Sequence, residues 1–130
     1  MGKRQVVVCD TNILIEFYKE NVKILDCLNS IKQENIIISV ITVGELLYGA
    51  LNKRELKQIK KDIDHLSTRG VTVNIMDCFI GLMERYTLSH GLSVPDGIIA
   101  ATSLVEDVPL FTLNQKDFKF INGLELYPID

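Results

Sequence analysis

A chain of 130 residues is close to the common domain size and long enough for one sizeable core. Hydrophobic residues make up 47%, charged residues 24%, and mean hydropathy is +0.18, which fits one folded domain, 1–130, around a buried sheet. A net charge of −3 and a pI of about 5.4 argue against a generally basic nucleic-acid-binding surface, and the absence of Trp leaves no base-stacking surface in evidence.

The chain opens on Met1–Gly2–Lys3–Arg4, which is basic, but the apolar run behind it is too short for a signal-peptide core and Asp10 interrupts it. Val6–Val7–Val8–Cys9–Asp10 is an apolar, β-branched run without alternation, as expected of a strand covered on both faces. Asn12 to about Lys19 has the apolar density of a helix, with Thr11 or Asn12 available as its cap. Val22–Lys32 places Val22, Leu25, Leu28 and Ile31 on one helical face, with Ile24 beside them. Gln33–Asn35 breaks that helix, and Ile36–Ile38 is a second short buried strand.

Ser39 can cap a helix over Val40–Ala50, whose second half has helical composition. Asn52–Leu66 is charged, with Leu56, Ile59, Ile63 and Leu66 three and four apart, so the two helices form a helical hairpin. Lys53, Arg54, Lys57, Lys60 and Lys61 are the one strong basic cluster, which serves as a solvated face or as a phosphate contact. Thr68–Gly70 reads as a turn and Val71–Ile75 as a third strand. A helix then runs from Asp77 or Cys78 to His90 on a stripe of Phe79, Leu82, Met83 and Tyr86, and Gly91 stops it.

Pro95 and Asp96 open a helix to about Val105, Leu110–Leu113 is a fourth strand, Asn114–Phe118 a loop or helical turn, and Leu124–Pro128 an edge strand. Strands alternate with helices throughout, which implies an α/β protein with a mainly parallel sheet and helices on both faces. Cys9, Cys27 and Cys78 are odd in number and without CxxC spacing, so a reducing cytoplasm is expected. No apolar run approaches the roughly 20 residues that span a bilayer, and no membrane contact is expected.

The acids follow this organisation. Asp10 ends the first strand, Glu45 lies in the helix after the second, Asp96 begins the helix before the fourth, and Asn114 and Asp117 follow the fourth directly. If the first and fourth strands are neighbours, Asp10 and the Asn114–Asp117 loop share the carboxyl edge of the sheet, where open α/β sheets bind ligands. Each acid also has an ordinary explanation: Asp10 and Asp117 as caps, Glu45 as a solvated helix residue, Asp96 as a first-turn acid favoured by the helix dipole. Together they require a compensating positive charge, and their hard oxygens suit Mg²⁺ or Mn²⁺. His65 and His90 lie in no motif and read as surface residues.

Four stretches carry a resemblance: Val8–Ile15, Ser39–Gly49, Pro95–Ala101 and Thr112–Phe118, in order and spread over essentially the whole chain. In that set the sequence resembles a PIN domain, most of all the VapC toxins of toxin–antitoxin pairs. The resemblance implies a PIN-like three-layer α/β/α fold of four to five strands with an added helical hairpin. It also implies an Mg²⁺- or Mn²⁺-dependent endoribonuclease with catalytic acids at Asp10, Glu45, Asp96 and Asp117. Asp10, Asp96 and Asp117 would hold metal, and Thr11, Asn12, Thr112 and Asn114 would support the cluster. Family members are commonly dimers and are silenced by a VapB-like antitoxin, so RNA, an antitoxin and a second copy are the implied partners. A receiver-type signalling module and a catalytically silent PIN-like binding protein are the other readings. The first also clusters acids around Mg²⁺ at strand ends, but Asp10 lacks the acidic neighbour that module needs.

Overall fold

The structure is a computed structural model that describes residues 5–129, and the basic Met1–Arg4 lies outside the described residues. Four strands, β1 (Val7–Cys9), β2 (Ile36–Ser39), β3 (Ser67–Arg69) and β4 (Leu110–Phe111), form one sheet in the order β3-β2-β1-β4. Every pair is parallel, with Val8 opposite both Ile37 and Leu110. Six helices flank it: α1 (Thr11–Tyr18), α2 (Val22–Ile31), α3 (Val40–Tyr48), α4 (Lys53–Ile63), α5 (Val73–His90) and α6 (Val94–Glu106). The arrangement is the helix-flanked, wholly parallel sheet expected from the sequence, with α3 and α4 packed as a hairpin.

The apolar strand runs work by alternation. Val7, Cys9, Ile36, Ile38 and Phe111 face one core with α1, α2 and α4, while Val8, Ile37 and Leu110 face another with α5 and α6. Successive side chains of a strand point to opposite faces, so an unbroken apolar run fills both layers at once. Val7, Val8, Cys9 and Phe111 are wholly buried. In α2 the buried stripe is Ile24, Leu28 and Ile31, whereas Val22 is 70% exposed and takes no part in the expected face.

Three local expectations are corrected. The third strand is Ser67–Arg69, where a turn was expected, and Val71–Ile75 is not a strand. Thr72 Oγ1 accepts the Ile75 N–H at 3.2 Å, which caps α5 and commits Val73 to a helix despite the β-branched run. The edge strand Leu124–Pro128 reduces to a single parallel bridge between Leu126 and Leu110. Finally, α6 begins at Val94, because Ser93 is its cap; Asp96 is the third residue, donating its backbone N–H to Ser93 Oγ at 3.3 Å.

The α5–α6 pair sets the position of Asp96. Gly91, at φ +66°, adopts the left-handed conformation that ends α5. Two residues separate it from α6, and the helices then pack so closely that a Cβ on Gly97 would lie 3.0 Å from Met83 Sδ and 3.1 Å from Phe79 Cδ1. Among the described residues no helix is long and apolar enough to cross a membrane.

Candidate metal-binding acidic edge

Strands β1 and β4 are neighbours, so the expected shared edge exists. Asp10 leaves β1 with its backbone N–H on Phe111 O at 2.9 Å. The α1 cap is Asp10 itself, not Thr11 or Asn12: Oδ1 accepts the Thr11 N–H at 2.7 Å. Oδ2 accepts the Thr112 hydroxyl at 2.8 Å and Asn12 Nδ2 at 3.3 Å. Asp10 and Thr112 are both buried. Burial pushes the Asp10 carboxyl above its ordinary range; the Thr112 hydroxyl and the Thr11 N–H work against that shift, and the Glu45 charge adds to it. Capping and site-building are thus the same set of bonds.

Asn12 and Thr112 bind the rest of the β4 exit to this acid. Asn12 Oδ1 accepts the Leu113 N–H at 3.2 Å, Asn12 Nδ2 lies 3.3 Å from Thr112 Oγ1, and the Asn114 N–H reaches Thr112 Oγ1 at 3.1 Å. Glu45 arrives from α3, whose start is fixed by Ser39 Oγ accepting the Ile41 N–H at 3.0 Å. Glu45 is exposed, and Thr11 Oγ1 donates to its Oε1 at 2.6 Å. Thr11 has one hydroxyl proton, so the 3.0 Å contact with the buried Thr42 hydroxyl is one that Thr42 donates.

Asp96 approaches from the first turn of α6, where the helix dipole favours an anion. Its carboxyl is nevertheless pushed up to about 6. Burial is the main cause, followed by the charges of Asp10 and Asp117 and, more weakly, Glu45; the bond to Ser93 works the other way. All four acids therefore lie in one electrostatic field. Asp117 sits in a short 3₁₀ turn, Gln115–Asp117, and both it and Asn114 are exposed. Among the described residues none of the four carboxylates has an ion-pair partner; the ion pairs there are Lys19–Glu16, Lys60–Asp64 and Arg69–Glu106.

Four carboxylates without ion-pair partners among the described residues, with Asp10 and Asp96 raised above their ordinary range chiefly by burial, form an all-oxygen donor set that a divalent cation would relieve. Among the described residues no three His, Cys, Asp or Glu side chains close on one point as a finished cage. Mg²⁺ does not require one, since it keeps several waters and is held by one or two carboxylates. The donor chemistry fits.

A cleft of about 330 Å³ opens beside Asp96 and Asp117, lined also by His90, Ser93, Lys116 and Phe120. The basic cluster is elsewhere: Lys53, Arg54, Lys57 and Lys61 line a separate surface concavity with Gln58. Sequence reasoning missed Thr42, Ser93, His90 and Lys116. Thr42 stands one helical turn before Glu45, and Ser93 stands three residues before Asp96 as a cap does, so both had a spacing signal. His90 had none.

Residues 7–123 match the family model described as PIN domain. The chain is 28% identical over 122 residues to a Mycobacterium tuberculosis protein named Ribonuclease VapC10, covering 92% of this chain and 91% of the relative. A solved structure described as a toxin-antitoxin complex from Klebsiella pneumoniae aligns at a TM-score of 0.78 and 26% identity, over 91% of this chain and 94% of that one. DNA-bound VapBC from Salmonella typhimurium aligns at 0.81 and 23% identity, over 95% and 97%, a likeness of fold.

Proposed function

The chain belongs to the PIN-domain family, and from that premise we propose that it is a divalent-metal-dependent endoribonuclease, the toxin of a VapBC-type toxin–antitoxin pair, built as one PIN-like domain. The observation that carries this reading is the set of four carboxylates at the carboxyl edge of the sheet, sharing one field and lacking ion-pair partners among the described residues. The names of its relatives support RNA as substrate and an antitoxin as partner. A cytoplasmic setting and a homodimer complete the proposal.

Asp10, Asp96 and Asp117 would hold Mg²⁺ or Mn²⁺. Such an ion acidifies bound water and offsets charge developing on a phosphodiester. The chain's own work is positioning. Thr112, Asn12 and the Thr11 N–H fix both oxygens of Asp10, so one ligand is held without reorganisation. Thr11 joins Asp10 to Glu45 through its backbone N–H and its hydroxyl, and Glu45 faces solvent where a nucleophilic water or its proton can be received.

The test is cleavage of a mixed RNA pool by purified protein with Mg²⁺, with Mn²⁺ and with EDTA, alongside Asp96→Asn, which keeps the shape and removes one charge. Metal-dependent cutting is expected, falling at least a hundredfold in the variant, the scale on which a group stabilising the transition state is worth. A correctly folded wild type that is inert under every metal returns the chain to a silent binding role.

A further inference from the structure

The cleft beside the acids has a second wall that the metal chemistry does not use. His90 is the last residue of α5 and is exposed. Its ring lies parallel to that of Phe120, with centroids 4.2 Å apart and planes 9° from coplanar. Tyr86 meets His90 edge-on at 5.7 Å and Phe120 at 5.2 Å, and its own hydroxyl accepts the Asn122 N–H at 3.1 Å. Ser89 Oγ stands 2.8 Å from His90 Nδ1 and fixes the rotation of the ring. Both rings of the stack line the same cleft as Asp96, Lys116 and Asp117.

We propose that His90 and Phe120 form a stacking platform for one unpaired nucleobase, which holds single-stranded RNA with a neighbouring phosphate over the acidic edge. This rests on the RNA-cleaving reading above. Three physical points carry it. An acidic edge in a protein of net charge −3 repels phosphates, so affinity must come from something other than the general field. Stacking on an aromatic face supplies about 1–3 kcal/mol per base, is not a charge–charge interaction, and needs a base whose own faces are free. Lys116 lines the same cleft and has no ion pair among the described residues, which leaves a cation for the flanking phosphate. Fastening α5 to the loop after β4 needs only Tyr86 and Phe120; the exposed imidazole on top is surplus to that task.

The test has two arms. In the first, wild type, His90→Ala and His90→Phe cleave a single-stranded RNA of defined sequence with Mg²⁺. His90→Ala is expected to lower kcat/KM roughly five- to a hundredfold, chiefly through KM, and His90→Phe to recover most of it. In the second, a single-stranded RNA carrying 2-aminopurine is titrated with Asp96→Asn protein in Mg²⁺, so that binding is read without cutting. Fluorescence should be quenched at one position of the strand, and not when His90→Ala is added to the variant. Unchanged kcat/KM and quenching in His90→Ala overturn the platform. So does a loss in His90→Ala that His90→Phe fails to recover while the melting temperature falls, which makes the ring a structural fastener. Cutting without quenching ends this proposal alone. Quenching without any metal-dependent cutting keeps the platform and ends the nuclease.

Discussion

The inner and outer halves of the acidic edge are held by different forces. Inside, Asp10 is buried and both of its oxygens are filled by protein donors, from Thr11, Asn12 and Thr112. Outside, Asp96 is half-buried and donates its backbone N–H to Ser93 Oγ, while Asp117 and Glu45 are exposed, Glu45 with the Thr11 hydroxyl on its Oε1. The inner half is fixed by hydrogen bonds, which stabilise the fold whether or not a cation is present. In the outer half Asp96 is disfavoured as a charge by burial first and by the neighbouring carboxylates second, which a cation or a proton relieves. Removing a group from the first should cost stability; removing a charge from the second should raise it.

Asp96→Asn gives the largest divergence. Alongside the loss of cleavage, its metal-free melting temperature should rise by a few degrees, since a carboxyl pushed up to about 6 is a charge the folded state resists. A fall in melting temperature would break the comparison. Thr112→Val comes next. It keeps the shape but strips Asp10 of a buried hydroxyl donor and the Asn114 N–H of its acceptor, at an expected cost of about 1–2 kcal/mol in urea unfolding.

The pH dependence of the metal-free protein should be smaller than either. Between pH 4 and about 6 the folded state keeps a proton on Asp96 that the unfolded state, near its ordinary value of 3.8, has released. The contribution of Asp96 to stability is therefore full below that window and is lost as pH rises through it. Urea midpoints at pH 4.5 and pH 7 should show this slope in the wild type and a flatter one in Asp96→Asn. The smallest effect belongs to Asn114→Ala. Its side chain is exposed, and its structural tie is through the backbone, so stability should move by less than about 0.5 kcal/mol and cleavage by only a few-fold. Asp117→Asn should do more, moving the Asp96 titration downward in a carboxyl-carbon NMR experiment.

Much of this edge was legible in the sequence because its carriers are apolar. Val7–Cys9 and Ile36–Ile38 announce a doubly covered sheet by composition, and each delivers the residue that follows it to one edge. Strand β3 was hidden for the opposite reason. Ser67–Arg69 pairs only with β2 at the border of the sheet, so two of its three residues are exposed and nothing selects apolar side chains there. Val71–Thr72–Val73 looked more strand-like, but one hydroxyl on one N–H decided in favour of helix. The His90–Phe120 stack joins residues thirty positions apart through tertiary packing alone, and no periodicity or motif marks it.

The bond between Asp10 and Thr112 spans 102 residues of chain. Asp10 follows β1, while the hydroxyl that completes its hydrogen bonding belongs to the exit of β4. A growing or prematurely ended chain that stops short of Thr112 can carry Asp10, Glu45 and Asp96 together and still lack the clamp that fixes the first of them. Non-local pairings of this kind form after local helices, so the clamp on Asp10 waits for the segment that carries Thr112.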